Sequence, residues 1–346
     1  MVELSGHTDL EIPPSWSLAL RRIVENPGVI LVVGGTSSGK TTFCKLLALD
    51  GVKAGLRVSY VDADIGQSTV GPPGCIGWAI VSTRGALREQ ALWFIGAFSP
   101  AGHLPEVITG THALVDRALQ HDSQLVVVDS TGLVRGWTGF QLKTSKAQLL
   151  RPRHLVLFRK KQELGPLSTV LSGLHGVRVH RLRVPAGVRE RDTAERRAYR
   201  EVRFREFLAG CSELSFPFPD LFLWGRNWFQ SGVPLNQAER AELEQRLQMT
   251  LVHAERTAGL TFVVRASWQA KRYAESVPAS RQRGVRFLPI DAWVGRLCAV
   301  EREPGDAVAV GKLLSVDFRT RTIRLLGKRF TRGHGSLLRI GAKIPV

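Results

Sequence analysis

The chain of 346 residues is longer than one hydrophobic core usually accommodates, so we expect a large domain and a smaller one. Hydrophobic residues make up 44% of the chain and charged residues 23%, which excludes an intrinsically disordered protein. The formal net charge of +18, with arginine far more abundant than lysine, indicates a polyanionic partner. Nucleic acid is favoured, although genome composition or heat adaptation can also enrich a surface in arginine.

The N-terminus and the cysteines indicate where the protein acts. Residues 1–16 contain early acids and two prolines, and they lack the basic start and apolar stretch of a signal peptide. No apolar run reaches the length of a membrane span. Widely spaced thiols form neither a zinc motif nor a redox motif and are typical of a reducing compartment; they are Cys44, Cys75, Cys211 and Cys298. We therefore expect a cytoplasmic protein with no membrane association.

Short apolar segments alternate with helical ones from residue 28 onward. Five segments rich in Val, Ile or Leu are predicted to be buried parallel strands: 28–34, 56–62, 124–129, 154–158 and 177–182. The segments between them have helical spacing or composition: 41–55, 105–121, 162–175 and 193–208. This alternation predicts an α/β fold with a doubly wound parallel sheet.

The character of the sequence changes after residue 211. A polar helix is predicted at 236–249, and short strand-like runs separated by Gly, Pro and Asp are predicted at 261–264, 294–300, 307–316 and 322–326. We therefore divide the chain into an N-terminal segment (1–22), a main α/β domain (23–211) and a smaller C-terminal β-rich domain (212–346).

The first predicted strand runs into a phosphate-binding loop. Residues 34–41 match G-x-x-x-x-G-K-[ST] between a strand and a helix, as P-loop NTPases require. Backbone N–H groups of such a loop cradle phosphate, its lysine reaches the β- and γ-phosphates, and its hydroxyl ligates Mg²⁺. We therefore expect Mg²⁺ as cofactor and ATP or GTP as phosphate donor. The predicted nucleotide-binding residues are Gly34, Gly35, Thr36, Ser37, Ser38, Gly39, Lys40, Thr41 and Thr42.

Three aspartates are candidates for the remaining chemistry. Phosphoryl transfer to an alcohol needs a second metal ligand and a carboxylate that accepts the hydroxyl proton. Asp62 and Asp64 close the second predicted strand and Asp129 ends the third, so all three should lie at the carboxyl edge of the sheet near the P-loop. One of the three could instead cap a helix or a turn.

The segment that begins at Asp129 leaves a second function class open. Residues 129–132 read D-S-T-G, which also matches the D-x-x-G motif with which switch GTPases sense the γ-phosphate. A GTPase should carry an Asn-Lys-x-Asp motif after a later strand as well, and the sequence lacks one. A nucleotide-dependent switch or assembly ATPase or GTPase is therefore disfavoured but stays an alternative.

Arginines concentrate in a segment at about 187–208, at the end of the α/β domain. By their spacing, Arg196, Arg200 and Arg203 share one face of the predicted helix. In phosphotransferases a mobile lid that bears arginines neutralises the transition state, and we interpret this segment as such a lid. The other interpretation is a solvated helix whose glutamates pair with the arginines.

Together these features resemble the family of polynucleotide 5′-hydroxyl kinases, whose eukaryotic members act in messenger, transfer and ribosomal RNA processing. Besides the P-loop, the resemblance rests on Asp62-x-Asp64-x-Gly66-Gln67, Phe94-Ile95-Gly96 with Ser99-Pro100, Thr131-Gly132 with Gly136 and Gly139, and Arg191-x-x-x-x-Arg196-Arg197-x-x-Arg200. It covers residues 28–208 well and the C-terminal domain more loosely, through Val294-Gly295 and Gly311.

The resemblance implies transfer of the γ-phosphate of ATP or GTP, with Mg²⁺, to the 5′-hydroxyl end of RNA or DNA, which we expect to be single-stranded. It makes Asp64 similar to the base that activates the 5′-hydroxyl. Besides Asp64, the predicted catalytic residues are Lys40, Arg191 and Arg196. The predicted metal site consists of Thr41, Asp62 and Asp129, and the predicted substrate-binding residues are Gln67, Thr131, Gly132, Trp137 and Arg200.

The sequence departs from the family pattern in two places. The Trp that often follows Thr-Gly in the family is Leu133 here, so its role could pass to Trp137. The large N-terminal domain of the eukaryotic members has no counterpart, and we expect a compact form closer to the archaeal and bacterial relatives. A kinase of small nucleosides is a further alternative, which explains the lid but leaves the net charge of +18 unexplained.

Overall fold

A computed structural model of the protein describes residues 2–3, 12–160, 163–185, 192–217, 222–224, 232–257, 259–265, 278, 280, 283–288, 293–317, 320–330, 335 and 337–345. The chain divides into two compact units. Unit 1 consists of Met1–Phe207 with Pro345–Val346, and unit 2 consists of Leu208–Ile344.

Within the described residues, unit 1 is built on an eight-stranded mixed sheet. Its strands are β1 (Val2–Glu3), β2 (Val29–Val33), β3 (Val58–Ala63), β4 (Cys75–Val81), β5 (Ala86–Phe94), β6 (Leu125–Ser130), β7 (His154–Arg159) and β8 (Arg178–Arg183). They lie in the order β1-β5-β4-β3-β6-β2-β7-β8. The five strands from β3 to β8 in this order are parallel, and β4, β5 and β1 extend the sheet with antiparallel pairs.

Helices cover both faces of this sheet, because its central strands are buried on both sides. The helices of unit 1 are α1 (Pro14–Glu25), α2 (Lys40–Lys53), α3 (Leu104–Gln120), α4 (Gly136–Leu150), α5 (Gly165–Ser172) and α6 (Thr193–Ala209). Apolar side chains of α1 and α2 form the core on one face, and those of α3, α4 and α5 form the core on the other. Of the helices in the described part of the chain, none combines the length and the hydropathy of a membrane span.

The sheet with its two helical layers confirms the predicted α/β class, and all five predicted parallel strands are present. Three elements lie outside the predictions. Helix α1 buries Trp16 and Ile23 in the core of unit 1, so part of the segment 1–22 belongs to this unit. The hairpin β4–β5 adds an antiparallel edge, and α4 carries two buried lysines that interrupt its apolar pattern.

Unit 2 is rich in β-structure. Its strands are β9 (Ser212–Pro217), β10 (Phe222–Trp224), β11 (Val233–Pro234), β12 (Leu251–Thr257), β13 (Leu260–Arg265), β14 (Val285–Phe287), β15 (Arg296–Glu301), β16 (Ala307–Asp317), β17 (Thr322–Arg329) and β18 (Leu337–Lys343). Six of them form a sheet in the order β10-β18-β15-β16-β17-β9, and four form a second sheet in the order β11-β12-β13-β14. Helix α7 (Gln237–Leu247) starts at a capping box of Asn236 and Glu239, which explains the predicted polar helix.

A buried carboxylate in unit 2 should make its stability depend on pH. Glu301 is fully buried with Arg339 Nη1 3.7 Å away, and burial raises the pKa of Glu301 from 4.5 to about 7. Since the folded-state pKa lies above the unfolded value, the stability that this group contributes is present below the unfolded pKa and is lost as the pH rises through the folded pKa.

As the pH rises from about 5 to about 8, the wild type should lose up to about 3 kcal/mol of unfolding free energy through Glu301. The Glu301→Gln variant lacks this titrating group and should therefore gain that amount relative to the wild type over the same range. Denaturant unfolding of both proteins at the two pH values measures this change. A difference between them that is the same at both pH values would contradict the assignment.

Candidate active site

The P-loop connects β2 to α2 and has the backbone geometry that its motif requires. Gly39 has a φ of 89°, in the left-handed region that glycine adopts without strain, and it immediately precedes α2. Lys40 is buried at the first position of the helix, and its Nζ donates a hydrogen bond to the carbonyl oxygen of Gly35 at 2.6 Å. The lysine therefore lies folded over its own loop, where phosphates bind in proteins of this motif.

Thr41 and Asp129 offer the oxygen atoms that a Mg²⁺ ion would need. The Thr41 hydroxyl donates to Asp129 Oδ2 at 2.6 Å, and the Tyr60 hydroxyl donates to the same oxygen at 3.0 Å. Asp129 Oδ1 is buried and accepts no hydrogen bond from any residue that the structure describes. Burial raises the pKa of Asp129, while the Thr41 hydroxyl and the Lys40 ammonium lower it.

These residues fit a hard divalent cation, because the orphaned carboxylate oxygen and the hydroxyl are both ligands that Mg²⁺ prefers. Among the described residues, no group of three or more His, Cys, Asp or Glu side chains forms a metal cage made of protein alone. A cation at Thr41 and Asp129 would therefore take its other ligands from water and from nucleotide phosphates.

Asp62 lies next to Asp129 across the sheet and is fully buried. Its Oδ1 accepts the backbone N–H of Asp64 at 3.0 Å, and its Oδ2 accepts the N–H groups of Thr69 and Val70. Burial, with the charges of Asp129 and Asp64 added, raises the pKa of Asp62 to about 8. Asp62 thus ties down the loop that follows β3, and its role at the metal stays a prediction.

Asp64 is held differently from Asp62. Its Oδ1 accepts the backbone N–H groups of Gly66 at 3.1 Å and of Gln67 at 3.2 Å, which fixes the carboxylate relative to the loop. No described residue donates a hydrogen bond to its Oδ2. One oxygen of Asp64 therefore has a structural role, while the other is available to accept a proton.

A cavity of about 460 Å³ contains most of the predicted site. Its walls combine the P-loop, the start of α2, the loop after β3 and one residue of α6. The lining residues are Thr36, Ser37, Ser38, Gly39, Lys40, Thr41, Thr42, Lys45, Asp64, Gln67, Thr69, Gly132 and Tyr199. Lys40 and Asp64 therefore face the same space, which is the juxtaposition that the sequence predicted from two different strands. Lys45, Thr69 and Tyr199 were not predicted, and no motif marks them.

Two buried lysines beside the site were also not predicted. Lys143 and Lys146 both project from α4 and are fully buried. Lys143 Nζ donates to Ser130 Oγ at 2.8 Å and to the Thr131 carbonyl at 2.5 Å, so it fixes the end of β6. Burial lowers the pKa of Lys146 to about 7, and the charge of Asp64 opposes this shift. In the sequence, the only signal for these two lysines was their spacing of three residues within a polar stretch, which places both on one side of a helix.

The predicted lid residues have different positions. Arg191 lies outside the described residues. Arg196 and Arg200 lie on α6, and the Nε atom of each is buried without a hydrogen-bond partner among the described residues. The Arg200 guanidinium lies over the ring of Phe98, 5.5 Å from its centre. Trp137 is 69% exposed and stacks on Phe140, so a base could reach its ring.

Gly132, a predicted substrate-binding residue, lies against the P-loop. A Cβ atom at this position would lie 2.5 Å from Thr36 Cγ2 and 2.7 Å from the Thr36 backbone nitrogen. Gly132→Ala should therefore push the P-loop out of position and weaken nucleotide binding by about tenfold or more, as overpacking of a rigid contact does.

Titration with a fluorescent ATP analogue measures this effect. Gly173→Ala is the matched control, because its Cβ would meet only ordinary contacts at 3.5 Å and beyond. Equal affinities in both variants would show that the contact between Gly132 and Thr36 is adaptable.

Comparison with known proteins places this site in a family. The family model described as "mRNA cleavage and polyadenylation factor CLP1 P-loop" matches residues 34–210, which is more than half of the chain. The chain is 27% identical over 322 residues to a polyribonucleotide 5′-hydroxyl-kinase of Pyrococcus furiosus, covering 91% of this chain and 88% of the relative. It is 26% identical over 324 residues to a polyribonucleotide 5′-hydroxyl-kinase of Methanocaldococcus jannaschii, covering 91% of this chain and 86% of the relative.

A solved structure supports the fold. In the structure of a wild-type Clp1p–Pcf11p complex, the matching chain superposes with a TM-score of 0.61 at 15% sequence identity, covering 95% of this chain and 78% of that one. The match of the family model runs from the first glycine of the P-loop through the whole of α6. The chain is therefore a member of the CLP1 P-loop family.

Proposed function

We propose that this protein transfers the γ-phosphate of ATP or GTP to the 5′-hydroxyl end of a polynucleotide. The observation that carries this proposal is that Lys40 of the P-loop and Asp64 of the loop after β3 line one cavity. A phosphate-binding lysine opposite a carboxylate with one unbonded oxygen is the arrangement that phosphoryl transfer to an alcohol needs.

In the proposed reaction, the acceptor oxygen attacks the γ-phosphorus while its proton passes to Asp64 Oδ2. The new O5′–P bond forms as the bond from the γ-phosphorus to the β–γ bridging oxygen breaks, and the nucleoside diphosphate leaves. Lys40 neutralises charge on the transferred group, and positioning of the two reactants provides much of the acceleration.

The metal and the lid complete this site. Thr41 and Asp129 would hold Mg²⁺, which when bound neutralises charge on the β- and γ-phosphates. Arg196 and Arg200 carry buried guanidinium nitrogens that no described residue satisfies, which suits them to an anionic ligand. Burial, with the charges of Arg196 and Arg197 added, lowers the pKa of Arg200, so an incoming phosphate would relieve repulsion on this helix.

The acceptor is proposed to be the single-stranded end of RNA, with DNA as the other candidate. The relatives from Pyrococcus furiosus and Methanocaldococcus jannaschii are named polyribonucleotide 5′-hydroxyl-kinases. The net charge of +18 agrees with a polyanionic substrate, since it favours long-range attraction to a phosphate backbone. A kinase of small nucleosides would not need this charge.

Transfer of labelled γ-phosphate tests the proposal. The wild-type protein is incubated with labelled ATP or GTP and with one of four acceptors: a 5′-hydroxyl RNA, the same RNA with a 5′-phosphate, a 5′-hydroxyl DNA, or a free nucleoside. We expect label in the 5′-hydroxyl RNA and none in the 5′-phosphorylated control. Label in the nucleoside alone would replace the proposal by a small-nucleoside kinase, and nucleotide hydrolysis without labelled acceptor would replace it by a switch or assembly NTPase.

A further inference from the structure

The loop that carries Asp64 depends on contacts from outside its own segment. We define the Asp64 loop as residues 64–70, which follow β3. From β3, Asp62 accepts the N–H groups of Thr69 and Val70. The Ser68 hydroxyl donates to the Asp64 carbonyl at 3.1 Å. These bonds leave the carbonyl oxygens of Ser68 and Thr69, which accept hydrogen bonds from α6.

Arg203 and Tyr199 of α6 make these bonds. Arg203 Nε donates to the Ser68 carbonyl at 3.1 Å, and Arg203 Nη2 donates to the Thr69 carbonyl at 2.9 Å. The Tyr199 hydroxyl donates to the Ser68 carbonyl at 3.3 Å. The Arg203 side chain is only 16% exposed, and its third nitrogen is paired with Glu206 at 2.5 Å. The planar fork of the guanidinium thus bridges two successive carbonyl groups with two separate nitrogens in a fixed geometry, which the single nitrogen of a lysine does not reproduce.

A second contact joins the same helix to the same loop. Phe204 of α6 is fully buried, and its ring meets the ring of Phe98 edge to face, with centroids 5.7 Å apart. A Cβ atom on Gly66 would lie 2.9 Å from the Phe98 carbonyl oxygen, so the Asp64 loop packs tightly against that segment. Helix α6 therefore contacts the loop directly through Arg203 and indirectly through Phe98.

We infer that Arg203 is a positioning residue which fixes the Asp64 loop, so that α6 sets the orientation of the base as well as carrying the lid arginines. Arg196, Arg200 and Arg203 share one face, yet only Arg203 has its guanidinium bonded to the Asp64 loop among the described contacts. The inference rests on the proposed function, because Arg203 is taken to act on the reaction through Asp64. If the guanidinium no longer bonded the two carbonyls, Asp64 would keep its hydrogen bonds within the loop, but the loop as a whole would be free to shift.

The test compares Arg203→Ala with Arg205→Ala in the full-length protein. Arg205 lies two residues further along α6 and is exposed, so its replacement removes the same charge from a different face. We expect Arg203→Ala to lower kcat for 5′-hydroxyl RNA by about 10- to 100-fold, with nucleotide affinity within about twofold, because small displacements of a reacting group have costs of this size. Arg205→Ala should stay within about twofold of the wild type in kcat.

Two further readouts separate positioning from a general loss of structure. In an Asp64→Asn background, Arg203→Ala should lower kcat by less than about threefold, since residues that act through one group are not additive. Arg203→Lys should recover part of the lost kcat, because the ammonium group can still donate to these carbonyls, although without the fixed fork of the guanidinium. If the decreases in kcat caused by Arg203→Ala and by Asp64→Asn multiply in the double variant, the inference is overturned.

Hydrogen exchange gives a readout that does not depend on activity. Peptides covering residues 64–70 should exchange faster in Arg203→Ala than in the wild type or Arg205→Ala, while P-loop peptides should not change. Unchanged exchange in this segment would overturn the inference even if activity falls. If exchange rises but the wild-type protein phosphorylates no polynucleotide, the proposed function fails and so does the role of Arg203 in it, while the structural contact stands.

Discussion

Replacing Asp64 by Asn should lower the rate of 5′-hydroxyl phosphorylation by about two orders of magnitude or more, as expected for loss of a general base. Asn is the informative substitution because Asp64 Oδ1 accepts the N–H groups of Gly66 and Gln67, and an amide oxygen can accept them equally. The loop should therefore keep its conformation, while the second oxygen, which would receive the proton, is replaced by a donor. Nucleotide affinity should remain within about twofold of the wild type, because the P-loop is untouched.

Steady-state kinetics with 5′-hydroxyl RNA, together with a nucleotide titration, measure these two quantities. Asp116→Asn is the matched control, since Asp116 is an exposed carboxylate on α3 whose partner is His112. Asp62→Asn gives a contrast, because the two carboxylate oxygens of Asp62 accept three backbone N–H groups and an amide nitrogen in place of one oxygen cannot accept them, so we expect lower stability as well as lower activity. Full activity of Asp64→Asn would remove Asp64 from the reaction and leave the acceptor side of the cavity without a base.

The parts of the fold that local patterns determine could be predicted from the sequence. Four of the five parallel strands, β2, β3, β6 and β7, are mostly apolar runs of five or six residues and are buried as central parallel strands must be. The fifth, β8, was predicted to be buried as well, but it forms the edge of the sheet, and of its residues only Leu182 is buried. Helix α4 was missed because Lys143 and Lys146 occupy positions that an amphipathic pattern reserves for apolar residues. Lys143 is tolerated there because its Nζ donates hydrogen bonds to Ser130 and to the Thr131 carbonyl, contacts that no sequence window contains. Lys146 Nζ has no hydrogen-bond partner among the described residues, and burial lowers its pKa, which favours the neutral amine.

The same limit applies to the site. The P-loop is predictable because its geometry is written in eight consecutive residues, and the aspartates follow from the ends of neighbouring strands. The role of Asp62 depends on N–H groups seven and eight residues further along, in a loop whose path the sequence does not reveal. Likewise, spacing places Arg203 on the face shared with Arg196 and Arg200, but only the packing of α6 against the Asp64 loop distinguishes it from them.

Replacing Lys40 by Met should lower the rate of phosphoryl transfer by about two to three orders of magnitude. This is the usual cost of losing one hydrogen-bond donor that stabilises the charge developing in the transition state. Lys40 is buried, and its Nζ already lies within the loop, 2.6 Å from the Gly35 carbonyl oxygen. Met preserves most of the side-chain volume, so the first turn of α2 should still pack through Phe43 and Cys44.

The loss should appear mainly in kcat, with a smaller decrease in nucleotide affinity, because backbone N–H groups of the P-loop still bind the phosphates. Lys53→Met serves as the control, since this lysine is 76% exposed at the other end of the same helix. Kinetics with saturating ATP and 5′-hydroxyl RNA separate the decrease in kcat from the decrease in nucleotide affinity. Because Lys40 also lowers the pKa of Asp129, its removal should leave that buried carboxylate easier to protonate. A Lys40→Met variant that keeps the wild-type kcat would show that Lys40 does not neutralise charge on the transferred phosphoryl group.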